Sequence, residues 1–175
     1  VVVTGRRRVG KTTLILKALQ SQKVPFVYCF VPRVASESDL ANQIVASLSE
    51  QLEIKFPPTL TTLAQTVEYL LELSKAQPMV LVIDECQEID GFAPVFWSQL
   101  QKVWDLGKNG AKLLLVMSGS LQSSLERIFG NRSEPLYGRC DVLMTLQPFS
   151  TETMKEVFAI ESGNAAVSYT HLRAH

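Results

Sequence analysis

Residues 5–12 read GRRRVGKT, which fits G-x-x-x-x-G-K-[ST], the pattern of a phosphate-binding P-loop. The pattern constrains the fold because it works only as the turn between a strand and a helix, and the flanking sequence supplies both. Val1, Val2, Val3 and Thr4 read as a β-branched strand entering the loop, and residues 13–20, TLILKALQ, as a helix leaving it. Gly5 and Gly10 let the backbone take positive φ and wrap closely round an anion. The turned N–H groups form a nest, and the helix N-terminus adds its positive end. Lys11 supplies a charge for β- and γ-phosphates, and the Thr12 hydroxyl is placed to ligate Mg²⁺. Arg6, Arg7, Arg8 and Val9 fill the variable positions and, with Thr13, border the phosphates. The three arginines are open to contact with nucleotide, with a partner or DNA, or to plain solvation. No aromatic residue is interleaved with them, so the patch alone does not argue for nucleic acid. Four fixed positions coincide by chance about once in 10⁴–10⁵ positions at average residue usage, so an accidental match in a chain of 175 residues is rare.

A second motif supports the first. After Pro78, residues 79–85 read MVLVIDE, an apolar strand ending in two carboxylates. Taken alone, such an ending is an ordinary acidic turn. Beside a P-loop, Asp84 is placed to hold Mg²⁺, through a water, and Glu85 to orient or deprotonate a water at the γ-phosphate. Side chains alternate along a strand, so the two adjacent carboxylates are expected to point to different places. Residues 112–120, KLLLVMSGS, form another buried strand with a small polar end. Ser118, and less strongly Ser120, is a candidate to sense the γ-phosphate or position the water, with plain turn chemistry as the alternative. Ligands of open α/β sheets bind at the carboxyl ends of strands, so these three segments are expected to converge. Arg139, just before the last strand, is read either as an arginine finger, in cis or from a neighbouring copy, or as a surface arginine.

The remaining segments fit one α/β domain. Residues 26–31, FVYCFV, are a buried strand; Ser36 and Asp39 mark a helix start, and Leu40, Ile44, Leu48 and Leu52 line one face. After Pro57 and Pro58 a helix carries Leu63, Val67, Leu70 and Leu71 on its inner side. Phe92, Phe96, Leu100, Val103 and Trp104 lie at helical spacing and read as core. A last strand over 141–146 precedes a helix to Ile160. Apolar strands alternating with helices predict a mostly parallel sheet covered on both faces. Lys and Arg balance Asp and Glu at 17 each, so net charge points to no nucleic-acid or membrane partner. No apolar run reaches membrane-spanning length. Cys29, Cys86 and Cys140 are widely spaced, as for reduced thiols in a cytoplasmic protein. Cys86, next to the acidic pair, reads as core.

Both ends look cut, and residues 167–175 lack apolar periodicity and read as a non-native tail. The tail holds His171 and His175, the only histidines, so histidine catalysis and histidine–metal sites are not expected in the core over 1–161.

GRRRVGKTTL, VLVIDECQEI, the strand ending in SGS and the PLYGR segment, in this order, resemble the archaeal-type ATPase family, a branch of the AAA+-related P-loop ATPases. The resemblance runs from residue 1 to about residue 160. It implies a three-layer sandwich whose five-stranded, mostly parallel sheet has the order 5-1-4-3-2. It also implies ATP and Mg²⁺ as ligands, with the roles given above for Lys11, Thr12, Asp84, Glu85 and Arg139. Members carry upstream residues that hold the adenine, and a winged-helix region, often with a nuclease-like domain, follows. These lie outside the segments matched here, and a DNA contact is expected from such a C-terminal region. Two functions follow: an ATP-hydrolysing core in a DNA-linked or defence-linked machine, or a slow nucleotide switch controlling a protein partner. A small-molecule kinase has an acceptor hydroxyl in place of water and no use for Glu85.

Overall fold

The computed structural model describes residues 1–120 and 122–161, without the side chains of 122, 123 and 161; the tail read at 167–175 lies outside the described residues. The strands are β1 (Val2–Gly5), β2 (Phe26–Phe30), β3 (Met79–Asp84), β4 (Leu113–Gly119) and β5 (Leu143–Leu146). The helices are α1 (Lys11–Gln20), α2 (Glu37–Leu52), α3 (Leu63–Ser74), α4 (Phe96–Gly107), α5 (Gln122–Gly130) and α6 (Thr151–Glu161). A 3-10 turn over Cys86–Gly91 joins β3 to α4.

All four pairings are parallel and the sheet order is β2-β3-β4-β1-β5, the expected 5-1-4-3-2 read from the other edge. β1 is interior, between β4 and the edge strand β5. The register levels the strand ends: Thr4 pairs with Gly119, and Ile83 with Met117. Gly5, Asp84 and Ser120 therefore emerge along one edge of the sheet.

Alternation along the strands divides the core in two. Val2, Leu81, Ile83 and Met117 face Ile44, Leu48, Leu70, Leu71, Phe96 and Leu100 of α2, α3 and α4. Val3, Val80, Val82 and Val116 face Ile15 and Leu19 of α1. Each large apolar side chain so buried contributes about 1.5–3 kcal/mol, enough to override the modest helix propensity of a segment such as α4. Ser36 caps α2 by accepting from the Asp39 N–H. Thr62 and Gln65 form a capping box at the start of α3.

Three expectations are corrected at their edges. Phe92 precedes α4 and lies at the end of the 3-10 turn, because the chain must climb away from β3 before it can turn back over the sheet. β5 begins at Leu143, two residues later than read. The sheet is not covered on both faces throughout: Leu143 is 52% and Met144 43% exposed, and Val157, Phe158 and Ile160 of α6 are also exposed. Among the described residues no helix is long and apolar enough to cross a membrane.

Candidate nucleotide site

The P-loop backbone turns at three left-handed positions, Gly5 (φ 149°), Arg8 (φ 63°) and Gly10 (φ 94°). Gly5 has a second reason to be glycine: a Cβ there would stand 2.6 Å from the Leu146 carbonyl oxygen of β5. Arg8 takes the left-handed conformation with a side chain, at a cost of about 1–2 kcal/mol, which the spacing pattern did not reveal. Lys11 opens α1 and is buried; its Nζ donates to the Gly5 carbonyl at 2.9 Å and the Arg6 carbonyl at 3.1 Å. The ammonium is thus bent back over the loop it serves. Arg6, Arg7, Arg8, Gly10 and Thr13 are exposed round it, with Val9 and Thr12 half-buried.

Asp84, at the end of β3, is the polar hub. Its Oδ2 accepts from Thr12 Oγ1 at 2.7 Å and from the Tyr28 hydroxyl at 2.7 Å, and its Oδ1 accepts from the Glu85 N–H at 3.0 Å. Burial pushes the Asp84 carboxyl upward, but the donors from Thr12, Tyr28, Ser118 and the Glu85 backbone outweigh it and hold it below the usual carboxylate range. Ser118 is fully buried against the same carboxylate, though its Oγ completes no hydrogen bond of ordinary geometry. Burial, with the Asp84 charge and hydrogen bond, drives the Tyr28 hydroxyl well above its ordinary value, so it stays a donor. Nothing in the local sequence singles out Tyr28: it pairs with Val82, two residues before Asp84, and only this register on the adjacent strand lets its hydroxyl reach the Asp84 carboxylate.

The touching hydroxyl of Thr12 and carboxylate of Asp84 are hard oxygen donors suited to Mg²⁺. Among the described residues there is no cluster of three or more His, Cys, Asp or Glu that could hold a metal ion. Mg²⁺ takes one or two protein ligands and leaves the rest to waters and phosphates.

Glu85 departs from Asp84 for a different reason than strand alternation. It sits past β3 in the left-handed conformation (φ 54°, ψ 39°), so the backbone itself swings the carboxylate aside. Its Oε2 accepts from Ser120 Oγ at 2.8 Å and from Gln87 Nε2. Ser120 in turn lies 3.4 Å from Arg7 Nε. The more weakly read serine is therefore the one that touches Glu85, while Ser118 belongs with Asp84. Arg7, Arg8, Lys11, Thr12, Thr13 and Glu85, joined by Arg33 and Glu88, line one cleft of about 600 Å³.

Arg139 is not in that cleft. It grips Asp105, at the end of α4, through Nε at 3.1 Å and Nη2 at 2.7 Å, and its Nη1 donates to the Pro135 carbonyl at 2.9 Å. It stands where β5 is about to begin, beside Val1 and Asp141, whereas the P-loop leaves the far end of β1. The reading of Arg139 as a finger in cis is therefore corrected: the length of the sheet separates it from Lys11. Its hydrogen bonds to Asp105 hold the guanidinium pKa above its ordinary value, and Asp105 below.

The three cysteines are free. Cys86 is fully buried, and burial drives its thiol far up, as the core reading requires; burial also raises Cys29, to about 11.

This geometry has relatives. The chain is 27% identical over 159 residues to an uncharacterised protein of Methanocaldococcus jannaschii, which covers 90% of this chain and 33% of the relative. Among solved structures it resembles a Walker-type ATPase of Pyrococcus abyssi (TM-score 0.62, 18% identity, 92% of this chain and 53% of the other). It also resembles the ORC1 protein of Aeropyrum pernix, solved in complex with DNA (TM-score 0.61, 16% identity, 93% of this chain and 43% of the other). At these identities the structures establish the fold. The chain spans about a third of the curated relative and about half of the solved ATPase. Residues 1–129 match the AAA domain family. With most of the chain matched, including the loop, both carboxylates and the β4 serines, the resemblance read from the motifs is borne out and the chain belongs to the AAA domain family.

Proposed function

We propose that this domain binds ATP with Mg²⁺ and hydrolyses it, and that its nucleotide state drives a conformational change in a larger assembly. One observation carries the reading: a cationic phosphate cradle, Thr12 with the buried Asp84 carboxylate hydrogen-bonded behind it, and a separately held glutamate meet at one cleft. In this reading Lys11 leaves the Gly5 and Arg6 carbonyls for the β- and γ-phosphates. Thr12 and Asp84 hold Mg²⁺, which when bound neutralises charge on the transferring phosphoryl group. Glu85 accepts a proton from, or orients, the attacking water. Ser120 and Arg7 steady the Glu85 side of the cleft. ATP is named as the nucleotide on the family resemblance.

A DNA-linked role is the finer part of the proposal. It draws on the fold shared with an ORC1 protein solved on DNA and on the C-terminal region that the family resemblance implies. The core is taken as residues 1–161, with residues 167–175 as a non-native tail. Lys11→Ala and Asp84→Asn test the binding half. Lys11→Ala is expected to abolish Mg-ATP binding while the melting temperature stays near the parent's. Asp84→Asn is expected to weaken both Mg-ATP affinity and turnover. Titration calorimetry showing parental ATP affinity in folded Lys11→Ala would sink the reading. Turnover of a longer chain that carries the C-terminal region, assayed with and without duplex DNA, tests the finer part, for which stimulation is expected.

A further inference from the structure

Gln87 lies two residues beyond Glu85 in the 3-10 turn and is only 6% exposed. Its Nε2 donates to Oε2 of Glu85 and, at 3.5 Å, approaches Oε1 of Glu88. A carboxylate only accepts, so the amide must present its nitrogen to the two glutamates and its oxygen the other way. That oxygen, Oε1, is buried with no hydrogen-bond partner. Buried polar atoms are rarely left so, and an exception calls for a cause.

The cause is on the neighbouring strand. Gln87 Oε1 lies against Gly119, the last residue of β4, and a Cβ on Gly119 would stand 2.2 Å from it. Gly119 is not among the residues with positive φ, so its backbone accepts any residue, and the space is what requires glycine. β4 forgoes a side chain, and Gln87 forgoes a partner for its oxygen, so that the amide nitrogen can reach Glu85. Ser120, next along the chain, donates to the same Oε2. Two donors on one oxygen fix the rotation of the carboxylate and leave its other oxygen, Oε1, to accept from a water.

We propose that Gln87, seated on Gly119, is a positioning residue that sets the Glu85 carboxylate for its work on the attacking water; this rests on the ATP-hydrolysis reading above. Gln87 touches neither nucleotide nor water in this account and acts only through Glu85. Ser120 shares the task from the β4 side, so the carboxylate is held between the turn that carries it and the neighbouring strand.

The test compares parent, Gln87→Met, Gly119→Ala, Gln87→Ala and the Gln87→Ala/Gly119→Ala double variant by ATP turnover, Mg-ATP affinity and thermal melting. Gln87→Met keeps the length and packing but donates nothing. It is expected to lower kcat about 10- to 100-fold, as for other groups that orient a reacting side chain, with Mg-ATP affinity and melting temperature near the parent's. Gly119→Ala is expected to lower kcat and melting temperature in the parent, because the new Cβ takes the amide's space. In the Gln87→Ala background it should cost little of either, a non-additivity that melting alone can read. Gln87→Met at the parental rate, or with affinity falling in step with kcat, would overturn the proposal, as would additive melting losses. A parent with no turnover under any condition overturns the ATPase reading and this one together. A parent that turns over beside an equally fast Gln87→Met overturns this one alone.

Discussion

Asp84 gathers three donors from three elements: the first turn of α1, the middle of β2 and its own strand end. Thr12 and the carboxylate pair were legible because their motifs are short and local. Tyr28 was not, because its place depends on the register of β2 against β3, which no local spacing encodes. Ser120 outranked Ser118 for the same kind of reason: which strand-end hydroxyl meets Glu85 depends on the left-handed turn at residue 85. Tyr28→Phe removes one donor to a charged, mostly buried acceptor and is expected to cost about 1.5–3 kcal/mol near pH 7. The folded-state pKa of Asp84 is depressed. Its stabilising contribution is therefore whole above the ordinary carboxylate pKa of about 4 and is lost as pH falls through the lower, folded value. The deficit of Tyr28→Phe should accordingly be full at neutral pH and shrink below about pH 4. Melting of both proteins across pH 3 to 8 checks it, and a deficit that grows toward acid would contradict the hub.

At the scale of elements, hydrophobic periodicity pointed to the five strands and most of the helices among the described residues, since strands buried on both faces and helices with one apolar stripe leave strong patterns. Leu63, Val67, Leu70 and Leu71 all face the core, as their spacing predicts. The 3-10 turn over Cys86–Gly91 was not legible, because its six residues are too short for any period. Nor was the approach of β5 to the P-loop, which makes Gly5 a packing position as well as a turn. Gly5→Ala must move Leu146 or the loop, and it also strains a φ of 149°. It is expected to destabilise the fold by about 1–3 kcal/mol and to weaken Mg-ATP binding with it. Denaturant unfolding and a binding titration read both effects. Unchanged stability would show that β5 can retreat freely from β1.

Over the whole molecule, the sheet order and the site fall at opposite degrees of legibility. The order 5-1-4-3-2 came from the resemblance carried by four motifs, and the pairings agree with it. The cis role read for Arg139 does not fit a parallel sheet: a residue just before a strand stands at the amino ends, opposite the carboxyl ends where the P-loop lies. It stands at the start of β5, tied to Asp105, so any service to another copy's phosphate requires that pair to open. The exposed apolar residues of β5 and α6 belong to a chain that spans a third to a half of its relatives. The central claim is that Glu85 does chemistry while Lys11, Thr12 and Asp84 do binding. The most direct measurement is ATP turnover and Mg-ATP affinity of Glu85→Gln beside the parent, run across protein concentration so that help from a neighbouring copy is seen. The account predicts nearly constant affinity with turnover about 10²–10⁴-fold lower. A Glu85→Gln protein that hydrolyses ATP as fast as the parent would contradict it and leave a nucleotide switch as the better description.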